Sequence, residues 1–254
     1  MSPARISDLD AATLGEGRTR HAAVRDRIAA AAVRAGRDPG EVTLVGVAKK
    51  QPTPRILSAI AAGVHVLGQS YIQEARDIRP EIESALAGDP AAADLRLEWR
   101  MVGRLQRNKA GLAARLFDAI ESVDRPALVD TLARRAESEG RPLDVLLQVS
   151  LCGEPQKGGC EADALPALVE QVEACAPLRL RGLMTVPAAS SDPEAARPVF
   201  RSLRTLRDRL VDAHPGLALD TLSMGMSADL EVAVEEGATL VRVGTALFGE
   251  RLTT

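Results

Sequence analysis

Lysine is scarce in this chain, and its scarcity marks the few lysines as candidates for covalent chemistry. The 254 residues include 32 lysines and arginines, of which only Lys49, Lys50, Lys109 and Lys157 are lysines. Because arginine supplies positive charge everywhere else, each lysine is a candidate for a task that arginine cannot perform. Forming an imine with an aldehyde is such a task, since a desolvated ammonium can lose its proton whereas a guanidinium stays protonated.

Cysteine and histidine give no sign of a metal site or a disulfide framework. Three cysteines, Cys152, Cys160 and Cys175, cannot all pair, and the seven residues between the first two match no zinc-binding spacing. The three histidines lie far apart, outside any HExxH arrangement. We therefore expect reduced thiols without a role and no bound metal.

Composition and charge exclude several classes of protein. With 46% apolar residues and a formal net charge of −3, the chain lacks the basic excess that binding to nucleic acid requires. A single tryptophan and a single tyrosine offer no aromatic platform for stacking bases. No apolar run reaches the roughly 20 residues that span a bilayer, and the beginning, MSPARISDLD, lacks the apolar segment of a secretory signal. We expect a cytoplasmic protein without a nucleic-acid or membrane partner.

Short apolar or β-branched runs alternate with longer helical patterns, which predicts parallel strands joined by crossover helices. A leading helix is predicted over residues 19–35, with Thr19 as its cap and Gly36 as its terminator. The predicted strands are 42–48, 64–68, 97–103, 119–123, 144–150, 178–186, 218–224 and 239–244.

Eight such units in 254 residues match the size of one (β/α)8 TIM barrel, an α/β fold. We assign residues 19–254 to a single barrel domain and residues 1–18 to an N-terminal extension. An open doubly wound sheet is the alternative, but the sequence has neither GxGxxG after the first strand nor a P-loop.

Barrel proteins bind ligands on the loops that follow the strands, and the unusual residues of this chain fall there. Lys49 and Lys50 follow the first strand, and because successive residues point to opposite sides, only one should reach the barrel mouth. Arg242 lies in the last strand, where it points either inward to a ligand or outward to a helix carboxylate. The sequence leaves both choices open.

A candidate phosphate anchor lies at the end of the last two strands. Gly244 and Thr245 close the eighth strand near a serine-rich turn, residues 223–227, a region that binds phosphate in many barrels. Glycine admits a close backbone approach, and serine and threonine hydroxyls donate hydrogen bonds. Lys49 across the mouth from this anchor suits an aldehyde-bearing phosphate cofactor, because the lysine captures the carbonyl end while the anchor holds the anion.

A family resemblance covers residues 22–251. It is carried by the runs LVGVAKKQP, VLGQSYIQE, EWRMVGRLQRNK, VLLQVSLCGEPQKGG, LRGLMTVP and LSMGMSADLEVAVEEGATLVRVGTALFG. In order and spacing these runs resemble the pyridoxal phosphate homeostasis proteins, single-domain barrels that are similar to the amino-terminal domain of alanine racemase.

The resemblance implies a pyridoxal 5′-phosphate (PLP) cofactor and assigns residues to it. By this resemblance Lys49 forms the Schiff base and Arg242 faces the pyridine nitrogen. The phosphate is assigned to Ser223, Gly244 and Thr245. The other residues expected beside the cofactor are Ser227, Met224, Met184 and Ser70, and a plain core role is the alternative for the methionines.

Several residues depart from the family pattern near the expected site. Gln69 and Ser70 stand where the family has a carboxylate and an amide, and Arg100 and Arg104 replace the histidines of W-H-x-I-G-H-L-Q. The other departures are Lys50 and Ser150. The lysine and arginine that bind the cofactor are kept, so we expect the departures to change affinity rather than the mode of binding.

We expect a carrier rather than an enzyme. An arginine beside the pyridine nitrogen keeps it unprotonated, which weakens the ring as an electron sink. The expected protein is a cytoplasmic monomer that holds PLP as a releasable Schiff base and delivers it to PLP-dependent apo-enzymes. A PLP-dependent amino-acid racemase is the alternative, and a lysine aldolase without a cofactor is a third reading. Lys109 and Lys157 are expected to be solvated charges, with transient docking of the cofactor as their alternative role.

Overall fold

The computed structural model describes residues 5–87, 89–92, 95–154 and 157–250, and its centre is a closed barrel of eight parallel strands. Each strand pairs with the next one along the chain, and β8 closes the ring by pairing with β1. The strands are β1 Thr43–Val47, β2 Val66–Gln69, β3 Glu98–Met101, β4 Ala119–Val123, β5 Leu143–Gln148, β6 Leu178–Met184, β7 Thr221–Ser223 and β8 Leu240–Val243. The predicted TIM barrel is confirmed, and every predicted strand overlaps an observed one.

Helices cover the outside of the barrel, so most strand residues are buried on both faces. This is why β4 reads as an uninterrupted buried segment and β1 as a nearly continuous apolar run. The helices of the described ranges are α1 Ala11–Arg34, α2 Thr53–Ala61, α3 Ile72–Ala87, α4 Ala110–Leu116, α5 Pro126–Ser138, α6 Leu165–Glu173, α7 Arg197–Ala213, α8 Leu230–Glu235 and α9 Thr245–Phe248. Within those ranges, none combines the length and the apolar character needed to cross a bilayer.

The leading helix α1 begins earlier than its sequence pattern predicts. Its cap is Asp10, whose carboxylate accepts a hydrogen bond of 2.6 Å from the Thr13 N–H, so the predicted cap at Thr19 is wrong. The predicted end is confirmed, because Gly36 adopts a left-handed conformation with φ 67° immediately after the helix. Two glycines in the first turns hid the true start.

Gly17 in α1 serves packing rather than helix termination. A Cβ atom at this position would lie 2.1 Å from the Ser58 hydroxyl oxygen, so glycine lets α1 approach α2 closely. The Ser58 hydroxyl also donates a 2.6 Å hydrogen bond to the Thr13 carbonyl, which fixes the same contact. The helix passes through the proposed boundary at residue 18, and the division of the chain at that point stays a prediction.

Gly182 sets the contact between β6 and β7. The register of β5 and β6 shifts beside it, since Val145 pairs with Leu180 and Leu146 pairs with Gly182. A Cβ atom on Gly182 would lie 1.8 Å from the Thr221 carbonyl oxygen. Because that obstacle is backbone, a side chain here would force the two strands apart.

We therefore expect Gly182→Ala to lower the free energy of unfolding by about 1–3 kcal/mol. Gly15→Ala is the matched control, because nothing lies within 4 Å of the added methyl group in α1. Alanine favours the helix there, so the control should be neutral or stabilising by up to about 1 kcal/mol. Urea unfolding followed by circular dichroism measures both changes. Equal stability of the two variants would contradict the close β6–β7 contact.

Candidate functional site

A cavity of about 470 Å³ opens at the carboxyl ends of the strands, a volume suited to a small ligand. The barrel brings seven of the nine residues expected beside the cofactor to its lining, and leaves Ser223 and Met224 below it in the core. The seven lining residues are Lys49, Ser70, Met184, Ser227, Arg242, Gly244 and Thr245.

The structure separates the two neighbouring lysines. Lys49 is half-buried and lines the cavity, whereas Lys50 is exposed and lies outside the lining. Lys50 adopts a positive φ of 55°, and its backbone N–H donates to the carboxylate of Glu74 in α3. The turn after β1 thus directs only Lys49 to the barrel mouth, as the alternation of side chains predicts.

Arg242 points into the barrel, which resolves the choice that the sequence left open. The residue is 5% exposed, and its guanidinium donates to the Ser223 hydroxyl at 2.5 Å and to the Thr185 carbonyl at 2.8 Å. Burial lowers the pKa of Arg242, while the nearby carboxylates of Glu121 and Asp229 act in the opposite direction. The group remains a cation, because arginine is not deprotonated in proteins.

Glu121 is the buried carboxylate that pairs with Arg100 beneath the cavity, and the sequence analysis did not identify it. Its fully buried carboxylate accepts 2.6 Å and 3.1 Å hydrogen bonds from the Ser223 hydroxyl and from Arg100. Burial alone would lower the pKa of Arg100, but Glu121 and Glu98 together raise it. A carboxylate inside the apolar strand AIESV was the available signal, since a buried charge requires a partner.

Ser223, which the resemblance assigns to the phosphate, is buried and lies outside the lining of the cavity. Its hydroxyl lies between Glu121 and Arg242, donating to the first and accepting from the second. Met224 is completely buried in the hydrophobic core, which is the alternative role given for it above, and Met226 lines the cavity. Gly225 makes this turn possible with φ 92°, and a Cβ atom there would lie 2.5 Å from Ala233.

The hydroxyl and glycine residues of the candidate phosphate anchor lie together at the ends of β7 and β8. Ser227 accepts a 3.3 Å hydrogen bond from the Ala246 N–H, which ties the turn after β7 to the start of α9. A Cβ atom on Gly244 would lie 3.4 Å from the Val47 carbonyl oxygen, so the backbone after β8 runs close to the end of β1. Thr245 lines the cavity beside them.

This arrangement corrects the expected placement of Lys49 across the mouth from the anchor. Because β8 pairs with β1, Lys49 follows the strand next to the anchor rather than an opposite one. The sequence pattern gives strand order along the chain, but only closure of the ring makes the first and last strands neighbours.

Two further cations complete the polar lining. Lys157 donates a 2.5 Å hydrogen bond to the Pro187 carbonyl and pairs with Glu154 at 3.2 Å. The amide of Gln148 donates to the Lys157 carbonyl at 2.8 Å, and Arg104 reaches the cavity from the segment after β3. In the part of the chain that the structure describes, no cluster of three His, Cys, Asp or Glu residues is placed to hold a metal ion.

Known proteins resemble this chain over most of its length. Residues 21–252 match the family model of the alanine racemase N-terminal domain. A pyridoxal phosphate homeostasis protein of Pseudomonas aeruginosa is 44% identical over 230 residues, which are 91% of this chain and 94% of that protein. The chain belongs to the pyridoxal phosphate homeostasis protein family. The resemblance inferred from the sequence is thus confirmed.

Solved structures show the same barrel. PipY of Synechococcus elongatus PCC7942, solved with PLP bound, is 36% identical, with a TM-score of 0.76 over 89% of this chain and 100% of that chain. An alanine racemase of Clostridium difficile 630 is 14% identical, with a TM-score of 0.68, and the match covers 90% of this chain but 56% of the racemase. The second likeness shows the fold alone.

The buried network predicts a large stability difference between Glu121 and an exposed carboxylate. Glu121→Gln leaves Arg100 with one fewer charged partner in the interior, so we expect a loss of about 3–5 kcal/mol in the free energy of unfolding. Glu83→Gln is the matched control, because Glu83 is 51% exposed and pairs with Arg79 on α3. It should cost less than about 1 kcal/mol. Chemical denaturation compares them, and a Glu121→Gln variant as stable as the control would contradict the network.

Proposed function

We propose that this protein binds PLP as a releasable Schiff base on Lys49 and serves PLP storage and delivery. The observation that carries the proposal is one cavity in which Lys49, the buried Arg242 and the hydroxyls of Ser227 and Thr245 meet. The family supports it, since its members are named for PLP homeostasis and PipY was solved with PLP bound.

The arrangement of the strands fits the chemistry of the cofactor. The aldehyde and the phosphate-bearing arm of PLP occupy neighbouring carbons of the pyridine ring, and the ring nitrogen lies opposite the aldehyde. Lys49 and Thr245 correspondingly follow neighbouring strands, β1 and β8. Arg242 reaches the Thr185 carbonyl that follows β6, and it is the residue that would face the ring nitrogen.

The lysine supplies the reversible step. The amine nitrogen of Lys49 and the aldehyde carbon of PLP form a C=N bond with release of water, and water or another amine reverses it. Arg242 has five N–H donors, and its bonds to Ser223 and Thr185 use two of them. A further donor is available for an unprotonated ring nitrogen. Ser223 and Glu121 act by positioning this guanidinium.

The cavity favours binding over turnover. Its titratable lining residues among those described are Lys49, Lys157 and the arginines Arg104 and Arg242. A racemase needs an acid and a base on opposite faces of the substrate, and Lys157 is engaged by Pro187 and Glu154. Arg242 also keeps the ring a weak electron sink. We therefore propose a carrier without turnover, and its cytoplasmic location, monomeric state and apo-enzyme partners stay predictions.

The adjacent lysines provide a matched test of the covalent site. Protein mixed with PLP should show the absorption band of an imine, and borohydride reduction should leave an adduct on Lys49 that mass spectrometry locates. Lys49→Ala should lose the band and the adduct, because the amine is gone from the cavity. Lys50→Ala removes the same charge one residue later and should keep both. A wild-type protein without an adduct, or with its adduct elsewhere, would refute the proposal.

The phosphate anchor is tested by removing one hydroxyl without changing side-chain shape. Thr245→Val should weaken PLP retention by about 1–3 kcal/mol, because the phosphate loses a donor while the methyl group is kept. Equilibrium dialysis measures the affinity, and Thr43→Val serves as the control, since Thr43 is exposed at the start of β1. Equal affinity in Thr245→Val and the control would place the phosphate elsewhere.

A further inference from the structure

A second cavity of about 650 Å³ lies beside the barrel-mouth cavity. It is formed by residues 70–73, which lead from β2 into the first turn of α3, by residues between Met101 at the end of β3 and Lys109, and by Arg125. Ser70, Gly103 and Arg104 line both cavities and form the wall between them. The proposed function does not account for this second space, and the sequence analysis gives only one of its lining residues, Lys109, an alternative role in transient docking.

The wall between the cavities is held by backbone contact. A Cβ atom on Gly103 would lie 2.3 Å from the Ser70 carbonyl oxygen, so the two loops touch where only glycine fits. The Ser122 hydroxyl donates a 2.6 Å hydrogen bond to the Gly103 carbonyl, which anchors this contact to β4. The second cavity is therefore a built feature of the barrel rim.

The charge of the second cavity is one-sided. Arg104, Lys109 and Arg125 line it together with the amides of Gln73 and Gln106, and the described lining contains no carboxylate. Arg125 pairs with Asp124, but neither Arg104 nor Lys109 forms an ion pair with any described residue. In a chain with a formal net charge of −3, this local excess of positive charge favours an anionic ligand.

Two more features indicate the chemical groups of that ligand. Residues 71–73 lie at the beginning of α3, a helix of 16 residues. The unpaired backbone N–H groups of its first turn, and the positive end of its dipole, therefore lie at the second cavity. Tyr71, the single tyrosine of the chain, lines the cavity and is 53% exposed. An exposed aromatic ring beside two cations matches a planar ring that carries a phosphate.

We propose that this second cavity is a noncovalent binding site for a planar aromatic phosphate monoester. Arg104 and Lys109 bind the phosphate, and Tyr71 stacks on the ring. The site needs no lysine chemistry and does not depend on the Schiff base at Lys49. Because Arg104 also lines the first cavity, a ligand bound here lies next to the barrel mouth, separated from it by the contact of Gly103 with Ser70.

Phenyl phosphate is the probe, because it has the ring and the phosphate but no aldehyde that could react with a lysine. The first cavity is filled beforehand by loading the protein with PLP and reducing it, and intact mass verifies one adduct. Isothermal titration should then show one saturable site for phenyl phosphate. Inorganic phosphate should bind more weakly because it cannot stack on Tyr71, and phenol should not bind because it lacks the charge.

Single-charge variants locate the site. Lys109→Gln and Arg104→Gln should each weaken phenyl phosphate binding about tenfold or more, since each removes a charge-assisted hydrogen bond. Arg107→Gln is the matched control, because Arg107 is exposed in the same segment but lies outside the lining. Its affinity should equal that of the wild type.

The outcomes separate this site from the one at Lys49. No saturable binding, equal binding by Lys109→Gln and Arg107→Gln, or equal binding of phenol and phenyl phosphate would each overturn the proposal. If the protein takes up no PLP adduct, the proposal for Lys49 fails. The titration is then repeated on unloaded protein, where Lys109→Gln must still weaken one phenyl phosphate site.

Discussion

The burial of one guanidinium at the base of the barrel mouth is the constraint on which the site depends. Moving a charge out of water costs several kcal/mol unless partners compensate for it. Arg242 on β8 meets this requirement with the Ser223 hydroxyl on β7, the Thr185 carbonyl after β6 and, through Ser223, the carboxylate of Glu121 on β4. Since each partner comes from a different strand, only the closed barrel brings all of them to the arginine.

The same requirement applies to Arg100 and Gln69, two residues near the site. The largely buried cation of Arg100 is balanced by the carboxylates of Glu121 and Glu98. Gln69 is completely buried, and its amide has no hydrogen-bond partner among the described residues. A carboxylate at this position would be a buried charge without a partner, which costs far more than a buried amide.

Closure of the ring also brings together functional residues from the first and last strands of the barrel. Lys49 follows the first strand and Thr245 follows the last, yet β1 and β8 are hydrogen-bonded neighbours. The wall made by Gly103 and Ser70 shows the same principle at short range, because two loops that are separate in sequence divide the rim into two cavities. The electrostatic character of each cavity then follows from which loops the barrel places side by side.

The amino-acid sequence was sufficient to predict the barrel, the order of its strands, and the position of Lys49, Gly244 and Thr245 at one rim, because strand alternation and loop position are local properties of the chain. The tertiary structure decided the inward direction of Arg242, the role of Ser223 between two charged groups, and the participation of Glu121. It also decided the true start of α1, where Gly17, which looks like a helix breaker, allows close packing against Ser58. The physical reason is common to these cases: compensation of a buried charge and close packing of backbones depend on partners distant in the chain, which no local pattern specifies.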